Sequence, residues 1–381
     1  MLIRRCAVLY IDPREDLDVD WPSLFSGEGA LGATMRWMAL APHLGREVEV
    51  DAAELAALGG LGQTLWVERA VAERRFGPDP VASLLDKGLL VGDEAGDHVR
   101  ERDDVLRSQY WRPLSAAAHI FSRWDAMAVE TGIQFPTFEQ LVESNGTPPD
   151  PTIERCPGEA AIHLPVPERV RLDDTLFKRY TGRNFDRNAV LPLATASRLL
   201  QRAFGSQFER EMAPGAFVLK KVSPSAGGLH PVEAYVLAQR VEGVSPGLYH
   251  YHPVRHALEP LTAMDTTQTA ALALRAVADQ EWFVDAPMLV VLAARVERNF
   301  WKYRNHAKAY RALLLDAGHL SQTFYLLATE AGMPAFVTAA INEADLEGAL
   351  GLDPLRDAVI AVCGCGPASG AQKMVELRYE D

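Results

Sequence analysis

The stretch Lys-Val-Ser-Pro-Ser-Ala-Gly-Gly-Leu-His-Pro, residues 221–231, is followed at once by an apolar run, residues 232–238, that predicts a strand. The small side chains of residues 225–228 leave backbone N–H groups accessible and let the chain approach a flat ligand closely. The stretch lacks the G-x-G-x-x-G spacing of a dinucleotide-binding turn and the Lys-Ser/Thr ending of a P-loop. Taken alone, it is either a ligand-binding loop or an ordinary turn before a strand.

A basic segment, Phe-Lys-Arg-Tyr-Thr-Gly-Arg-Asn-Phe at residues 177–185, lies upstream of this loop. On an incipient helix Arg179 and Arg183, four residues apart, would share a face around Thr181. Two guanidinium groups and a hydroxyl offer donors that suit a phosphate or a polarised carbonyl, because the guanidinium charge is permanent and its donors are forked. The alternative for this segment alone is a solvated basic turn.

A third segment, Trp-Lys-Tyr-Arg at residues 301–304, precedes a long helix predicted over residues 309–331, whose apolar positions are spaced for burial. Lys302 and Tyr303 therefore fall on a predicted loop, where catalytic groups are common. Lysine and tyrosine side chains are weak bases in general, unless burial or positive neighbours lower the pKa. The alternative is a surface lysine beside a tyrosine that packs at the helix start.

Histidines and cysteines give no sign of a metal centre. Residues 247–253, Gly-Leu-Tyr-His-Tyr-His-Pro, alternate aromatic and polar side chains as a hairpin edge does. His250 and His252 lack a nearby third ligand, and Cys363 and Cys365 form no Cys-x-x-Cys pair, so we predict no metal site. Four cysteines are too few for a disulfide framework at this length, and we predict buried or loop thiols.

Taken in order, these four segments resemble the nitroreductase-like flavoenzymes, and specifically the SagB/McbC-type dehydrogenases, the azoline oxidases of peptide maturation. Residues 179–183 are similar to the arginine motif for FMN in that family, which usually has serine where Thr181 stands. Residues 224–231 are similar to its Pro-Ser-Ala-Gly-small-Leu-Tyr-Pro loop, with His230 in place of tyrosine. Residues 247–251 match closely, and residues 302–303 fall where the azoline dehydrogenases carry a Lys-Tyr pair.

The resemblance implies one FMN per protomer and assigns its contacts. Lys302 or Tyr303 is implied as the base or proton relay, while the substrate gives a hydride to the flavin. Ordinary nitroreductases often have a Gly-Gly pair after the long helix, where this chain has Thr-Ala-Ala at residues 338–340. The implied cofactor-binding residues are Arg179, Thr181, Arg183, Pro224, Ser225, Ala226, Gly227, Gly228, Thr338, Ala339 and Ala340.

The implied fold is α+β, a nitroreductase-like FMN-binding antiparallel sheet with flanking helices, which we place at residues 171–381. The resemblance also implies an obligate homodimer with the flavin site at its interface. Prolines and glycines crowd residues 143–167 and predict an extended linker, which we place at residues 146–170.

Residues 1–145 predict a winged-helix-like α/β domain, and relatives with this resemblance carry such extensions. A helix that ends at Lys87-Gly88 leads directly into an apolar strand, and a polar hairpin is predicted at residues 92–99. The chain has a net charge of −13, and residues 1–150 contain 14 Lys and Arg against 25 Asp and Glu. Because phosphate binding needs clustered positive charge, we predict a peptide substrate or a modification-complex partner and no nucleic acid.

The remaining predictions concern location and function. No apolar run approaches the ~18 residues of a membrane span, and no signal-peptide pattern is present, so we predict a cytoplasmic protein without a membrane partner. The implied function is FMN-dependent dehydrogenation of azoline or similar residues in a ribosomally made peptide. Two alternatives stay open: an NAD(P)H-dependent reductase of nitro compounds, quinones or a dehydroamino acid on the same fold, and a non-catalytic peptide-binding scaffold of a modification complex.

Overall fold

A six-stranded antiparallel sheet organises the second half of the chain in the computed structural model, which describes residues 1–19, 25, 31–128, 138–152, 162 and 164–379. The strands follow the order β11-β10-β9-β12-β14-β13. Strands β7 and β8 form a separate two-stranded sheet, and they precede the six-stranded sheet in the chain. The strands are β7 Phe208–Ala213, β8 Ala216–Lys220, β9 Val232–Ala238, β10 Gly247–His252, β11 Ala257–Ala263, β12 Met288–Arg295, β13 Ala335–Thr338 and β14 Asp357–Cys365.

Helices cover both faces of the sheet. Along β12, Val290 and Leu292 pack with α8 and α12 on one face, while Leu289 and Val291 pack with α9, α10 and α13 on the other. The two-residue alternation of a strand accounts for this division. These layers confirm the predicted α+β architecture of an antiparallel sheet with flanking helices. The helices are α7 Arg171–Lys178, α8 Leu193–Phe204, α9 Thr266–Ala276, α10 Glu281–Val284, α11 Val296–Phe300, α12 Ala309–Glu330 and α13 Glu343–Leu350.

The N-terminal region has two small sheets and three helices around a core of its own. Helix α1 begins after an Asp51 cap, because the Asp51 carboxylate accepts from the Glu54 N–H at 2.8 Å and the Glu54 carboxylate accepts from the Asp51 N–H at 2.8 Å. The sheets have the orders β5-β1-β6 and β2-β3-β4. The elements are β1 Leu2–Arg5, β2 Tyr10–Val19, β3 Leu31–Leu40, β4 Glu47–Val50, α1 Ala52–Gly60, β5 Val67–Glu68, α2 Arg69–Phe76, α3 Pro78–Asp86 and β6 Leu90–Gly92.

One predicted element of this region is wrong. Residues 92–99 form no hairpin, because Asp97 caps a new helix, α4 His98–Ser108, by accepting from the Val99 N–H at 2.9 Å. The described residues between 146 and 170 contain no helix or strand and lie between α6 Phe138–Asn145 and α7. The domain division at 1–145, 146–170 and 171–381 and the winged-helix likeness stay predictions.

Two further predictions, on the cysteines and on membrane-spanning segments, can be compared with the structure. Cys6, Cys363 and Cys365 are buried free thiols, and Cys156 lies outside the described residues. Within the described ranges, every helix is too short or too polar to cross a membrane.

The segment that follows α4 packs on the second half of the chain. Trp111 and Ile120 share a hydrophobic core with α8 and α12, and Ile120 lies on helix α5 Pro113–Phe121. The Trp111 Nε1–H donates to the Leu355 carbonyl at 2.9 Å. His119 is buried, with Nε2 at 2.9 Å from the Pro354 carbonyl and Nδ1 at 3.2 Å from the Tyr310 hydroxyl.

We expect this contact to weaken in acid. The Pro354 carbonyl accepts a hydrogen bond, so the neutral His119 ring has its proton on Nε2, and Nδ1 accepts from the Tyr310 hydroxyl. Protonation of Nδ1 removes the hydrogen bond from Tyr310. Burial lowers the pKa of His119 from 6.5 to about 4. The unfolded chain therefore binds the proton first, and stability falls as the pH drops from about 6.5 to 4, by about 3 kcal/mol. The free energy of unfolding, measured with urea at pH 7 and pH 4.5, should decrease less for His119→Gln than for the parent. An equal decrease in both proteins would contradict this assignment.

Candidate active site

The loop at residues 225–228 is anchored on helix α12 by a buried carboxylate. The Ser225 hydroxyl donates to Asp316 Oδ2 at 2.5 Å, and the Ala226 N–H donates to Asp316 Oδ1 at 3.1 Å. The His230 N–H closes the loop by donating to Ser225 Oγ at 2.9 Å. Pro224 is exposed at the start of the loop. The sequence reasoning missed Asp316, although a carboxylate among the buried positions of an apolar helix was a usable signal.

Lys302 and Tyr303 lie directly against this loop. Gly227 has a left-handed backbone, with φ 63°, and a Cβ at this position would lie 2.7 Å from Tyr303 Oη and 2.8 Å from Lys302 Nζ. Gly228 is also left-handed, with φ 68°, but a Cβ there would meet nothing within 4 Å. The structure therefore brings the predicted Lys-Tyr pair onto the predicted glycine loop and leaves open space beside Gly228.

The arginine motif is extended, and its predicted helical arrangement is wrong. Helix α7 ends at Lys178, because Thr181 forms a parallel bridge with Ala335 of β13, and the Gly182 N–H donates to the Ala335 carbonyl at 2.8 Å. In an extended segment alternate residues point to the same side. This spacing brings Arg179 and Thr181 to the same residue, Tyr325, whereas Arg183 lies elsewhere.

The start of the arginine motif contacts the C-terminal half of α12. Thr181 Oγ1 lies 3.1 Å from the Tyr325 hydroxyl, and the Arg179 guanidinium lies 5.4 Å from the centre of the Tyr325 ring. Arg183 is placed apart from this contact: its N–H donates to Glu376 Oε1 at 2.6 Å, and it lines a cleft of about 700 Å³ with Trp282. The structure brings Arg179 and Thr181 together and leaves Arg183 at a neighbouring opening.

Residues 338–340, at the end of β13, differ in exposure. Thr338 is buried, and its hydroxyl accepts from Gln280 Nε2 at 3.2 Å and from the Ala340 N–H at 3.2 Å. Ala339 between them is exposed. The Thr338 hydroxyl is therefore engaged inside the protein, and the backbone near Ala339 is the part available to a ligand.

The two groups of predicted residues lie on opposite faces of α12. Asp316, which anchors the glycine loop, and Tyr325, which contacts the arginine motif, are separated by nine residues, or about two and a half helical turns. The exposed side of α12 carries Leu314, 44% exposed, and Leu315, 64% exposed, with open space at Gly318, beside the exposed polar residues His319 and Gln322. The glycine loop and the arginine motif are therefore held on different faces of the same helix.

Positive groups surround the glycine loop. Lys221 is 2% exposed, and among the residues that the structure describes its ammonium group has no hydrogen-bond or ion-pair partner. Burial lowers the pKa of Lys221. Burial, with Lys221, Lys220 and Arg298 nearby, also lowers the pKa of His230 to about 4, so this imidazole is neutral at pH 7. Lys221 is a second residue that sequence reasoning missed.

A cleft of about 830 Å³ opens beside the same loop. Its lining combines apolar residues such as Phe217 and Trp301 with the guanidinium groups of Arg295 and Arg298. Arg298 shapes one wall, because it donates to the carbonyls of Leu229 at 3.1 Å and Phe217 at 3.0 Å. Trp301 lines this cleft and directly precedes Lys302 in sequence, but Lys302 and Tyr303 are not among the lining residues.

Comparison with known proteins gives these features a family. A model of the nitroreductase family matches residues 176–366, which contain the glycine loop, the Lys-Tyr pair and the whole arginine-motif segment. The chain belongs to the nitroreductase family. This family consists of flavin-dependent oxidoreductases. A protein of Methanocaldococcus jannaschii that is named a nitroreductase is 32% identical over 185 residues, which are 49% of this chain and 86% of that protein.

Two other relatives have names from peptide processing. The trifolitoxin-processing protein TfxB of Rhizobium leguminosarum bv. trifolii is 28% identical over 144 residues, 38% of this chain and 38% of TfxB. The microcin B17-processing protein McbC of Escherichia coli is 29% identical over 177 residues, 45% of this chain and 61% of McbC. This chain thus aligns with less than two thirds of either protein, and the resemblance to McbC-type proteins is confirmed at the level of homology.

A solved structure supports the fold. A chain of the E. coli microcin synthetase McbBCD complex with truncated pro-MccB17 bound aligns with a TM-score of 0.50 and 21% identity, over 70% of this chain and 94% of that chain. At this identity the alignment shows a shared fold, which confirms the predicted nitroreductase-like architecture.

Proposed function

We propose that the protein is an FMN-dependent dehydrogenase of azoline or similar residues in a ribosomally made peptide. The observation that carries the proposal is the position of Lys302 Nζ and Tyr303 Oη, both within 3 Å of the place where a Gly227 side chain would begin. Homology to TfxB and McbC, two peptide-processing proteins, supports a peptide as the substrate. The test is incubation of the purified protein with FMN and an azoline-containing peptide, in which the expected product has lost two hydrogens; an unchanged peptide would refute the activity.

The residues present fit an FMN. When bound, the flavin supplies a two-electron acceptor for hydride. The left-handed glycines and the open space beside Gly228 suit the approach of a flat ring to backbone N–H groups. Arg179, Thr181 and Arg183 would hold the phosphate and the pyrimidine edge, because guanidinium donors match phosphate geometry.

Lys302 and Tyr303 would handle the substrate proton. Loss of hydride from carbon is accompanied by loss of a proton from the neighbouring atom, and a base must accept that proton. A neutral Lys302 amine or a Tyr303 phenolate is placed to do so, and the other would relay the proton onward. The adjoining cleft, with Trp301 and Arg295, is the proposed path of the peptide segment.

A homodimer would complete this site. The arginine motif and the glycine loop contact opposite faces of α12, and Leu314, Leu315 and Gly318 form an exposed apolar surface on the same helix in a single chain. Packing this surface against the same surface of a second copy would bury it and bring a partial site from each copy together.

We expect Leu315→Glu to yield a monomer that loses its flavin, because a carboxylate in a buried apolar interface is left unpaired. Light scattering and flavin absorbance after gel filtration measure both quantities. Leu261→Glu, a similar change of an exposed leucine on β11, is the matched control and should leave both unchanged. A dimeric, yellow Leu315→Glu protein would contradict the proposed interface.

We expect Arg179→Ala and Arg183→Ala each to weaken FMN binding by about one to two decades, since a charge-assisted contact is worth about 1.5–3 kcal/mol. Titration of the flavin-free protein with FMN, followed by fluorescence quenching, gives the dissociation constants. Arg202→Ala, an exposed arginine on α8, is the control for loss of one positive charge. Parental affinity in both motif variants would remove the arginine motif from the cofactor site.

The N-terminal region, residues 1–145, is proposed to bind peptide or a modification-complex partner, and the protein is proposed to act in the cytoplasm. Residues 1–150 contain 25 acidic and 14 basic residues, and this net negative charge favours a peptide or protein partner over nucleic acid. Tight duplex DNA binding with a steep salt dependence would contradict it.

A second candidate is an NAD(P)H-dependent reductase on the same fold. It is favoured by the 32% identity to the M. jannaschii protein that is named a nitroreductase. NADPH oxidation that depends on an added nitro compound or quinone, without peptide oxidation, would select this candidate.

A further inference from the structure

A tyrosine and an asparagine that are far apart in sequence share an unusual backbone conformation. Tyr110 has φ 56° and Asn305 has φ 51°, both in the left-handed region that residues other than glycine seldom adopt. A bulky tyrosine in this region costs about 1 kcal/mol or more and persists only when its surroundings fix it. The two residues fix one another, because the Asn305 N–H donates to the Tyr110 carbonyl at 3.0 Å.

Side chains reinforce this backbone bond. With the Asn305 carboxamide oriented so that its NH₂ group meets acceptors, it donates to the Trp111 carbonyl at 2.9 Å and to the Tyr110 carbonyl at 3.3 Å. The Arg304 guanidinium lies 4.4 Å from the centre of the Tyr110 ring, within range of a cation–π interaction. With the backbone bond, four contacts thus join residues 304–305 to residues 110–111.

Trp111 also holds both ends of the loop that carries Lys302 and Tyr303. It is 3% exposed and packs edge-on against Phe300, with ring centres 4.9 Å apart. It lies 5.9 Å from Tyr310. Phe300 ends α11 and Tyr310 belongs to the first turn of α12, so one indole ring contacts the residues on either side of the loop.

Apart from the Tyr303 ring, which packs on the core, the described loop residues have no other long-range anchor of this kind. Its other hydrogen bonds are local, such as Tyr303 N–H to the Asn299 carbonyl and His306 N–H to the Tyr303 carbonyl. These bonds define the turn but do not fix its place relative to the glycine loop. Within the described part of the chain, long-range hydrogen bonding of residues 301–308 goes to residues 110–111 alone.

We infer that Tyr110, Trp111 and Asn305 form a clamp that positions Lys302 and Tyr303 over the glycine loop. The inference rests on the proposed function for its catalytic consequence, but the clamp itself is a property of the fold. Because Tyr110 and Trp111 directly follow α4, the N-terminal half of the chain supplies positioning residues for the proposed reaction. A partner or peptide that shifts α4 would act on the reacting groups through this clamp.

The test uses Asn305→Asp in the full-length, FMN-loaded protein. Aspartate has the shape of asparagine and tolerates a left-handed backbone, but it places a carboxylate oxygen opposite two carbonyl oxygens. We expect peptide-driven flavin reduction to slow by about 10²-fold, as for a misplacement of about 1 Å, at parental flavin content. Asn305→Gly keeps the backbone bond and the left-handed conformation and should recover most of the rate. Asn145→Asp, at an exposed site, controls for the added charge.

Hydrogen–deuterium exchange of residues 301–308 separates failure of the clamp from failure of the proposed function, because it needs no turnover. We expect these amides to exchange about tenfold faster in Asn305→Asp than in the parent and in Asn145→Asp. Unchanged exchange would overturn the clamp, and so would faster exchange with flavin reduction at the parental rate. If no azoline peptide reduces the parental flavin, the proposed function fails, while the exchange comparison still decides whether residues 110–111 hold the loop.

Discussion

Lys302→Ala is expected to slow flavin reduction by an azoline-containing peptide by about 10²–10⁴-fold, the usual contribution of a positioned acid or base. The physical reason is that Lys302 Nζ lies against the glycine loop, where a substrate carbon next to the flavin would lose its proton. The measurement is the rate of flavin reduction in a single anaerobic turnover. FMN content and thermal stability should stay near parental values, since the side chain is exposed.

Two variants sharpen this prediction. Lys308→Ala removes an exposed lysine at the end of the same loop and should leave the rate unchanged. Tyr303→Phe removes only the hydroxyl and keeps the ring, which packs on the core between the sheet and α12. If Lys302 were a surface charge and Tyr303 only a packing residue, Lys302→Ala and Tyr303→Phe would both reduce flavin at full speed, and the pair would have no part in the chemistry.

Gly227→Ala is expected to cause the second large loss, about 10²-fold in the same rate, because misplacement of reacting groups by about 1 Å has an effect of that size. The new Cβ would lie 2.7 Å from Tyr303 Oη and 2.8 Å from Lys302 Nζ. Both atoms end flexible side chains, so they would move aside and the fold would survive. The left-handed backbone adds a stability cost of only about 1–2 kcal/mol.

Gly228→Ala is the matched variant for this experiment. Gly228 has nearly the same backbone, with φ 68°, but its Cβ would meet nothing within 4 Å. Both variants therefore carry the same backbone cost, and only Gly227→Ala displaces Lys302 and Tyr303. Rates compared at equal flavin content should differ by more than tenfold between the two, and equal rates would show that the displaced pair does not matter.

The sequence allowed prediction of the elements whose signals are local. The strand at residues 232–238, the long helix at residues 309–331 and the order of the glycine loop and the Lys-Tyr pair could all be recognised without coordinates. The contact of the Lys-Tyr pair with Gly227 was not predicted, because no local pattern signals it. The wrong hairpin at residues 92–99 shows the limit, because the Asp97 cap decided in favour of a helix.

The features that sequence reasoning missed depend on partners far away in the chain. Asp316 reads as one polar residue on a core helix until Ser225, 91 residues earlier, contacts it. The arginine motif is extended because Thr181 pairs with Ala335, and no local propensity signals that bridge. The left-handed Tyr110 is likewise explained only by its bond to Asn305.

The most direct test of the central proposal is anaerobic mixing of the FMN-loaded protein with an azoline-containing peptide while the flavin absorbance is followed. The predicted result is loss of the oxidised flavin spectrum in step with loss of two hydrogens from the peptide, in the absence of any nicotinamide. A flavin that stays oxidised with the peptide and is reduced by NADPH would contradict the proposed dehydrogenase.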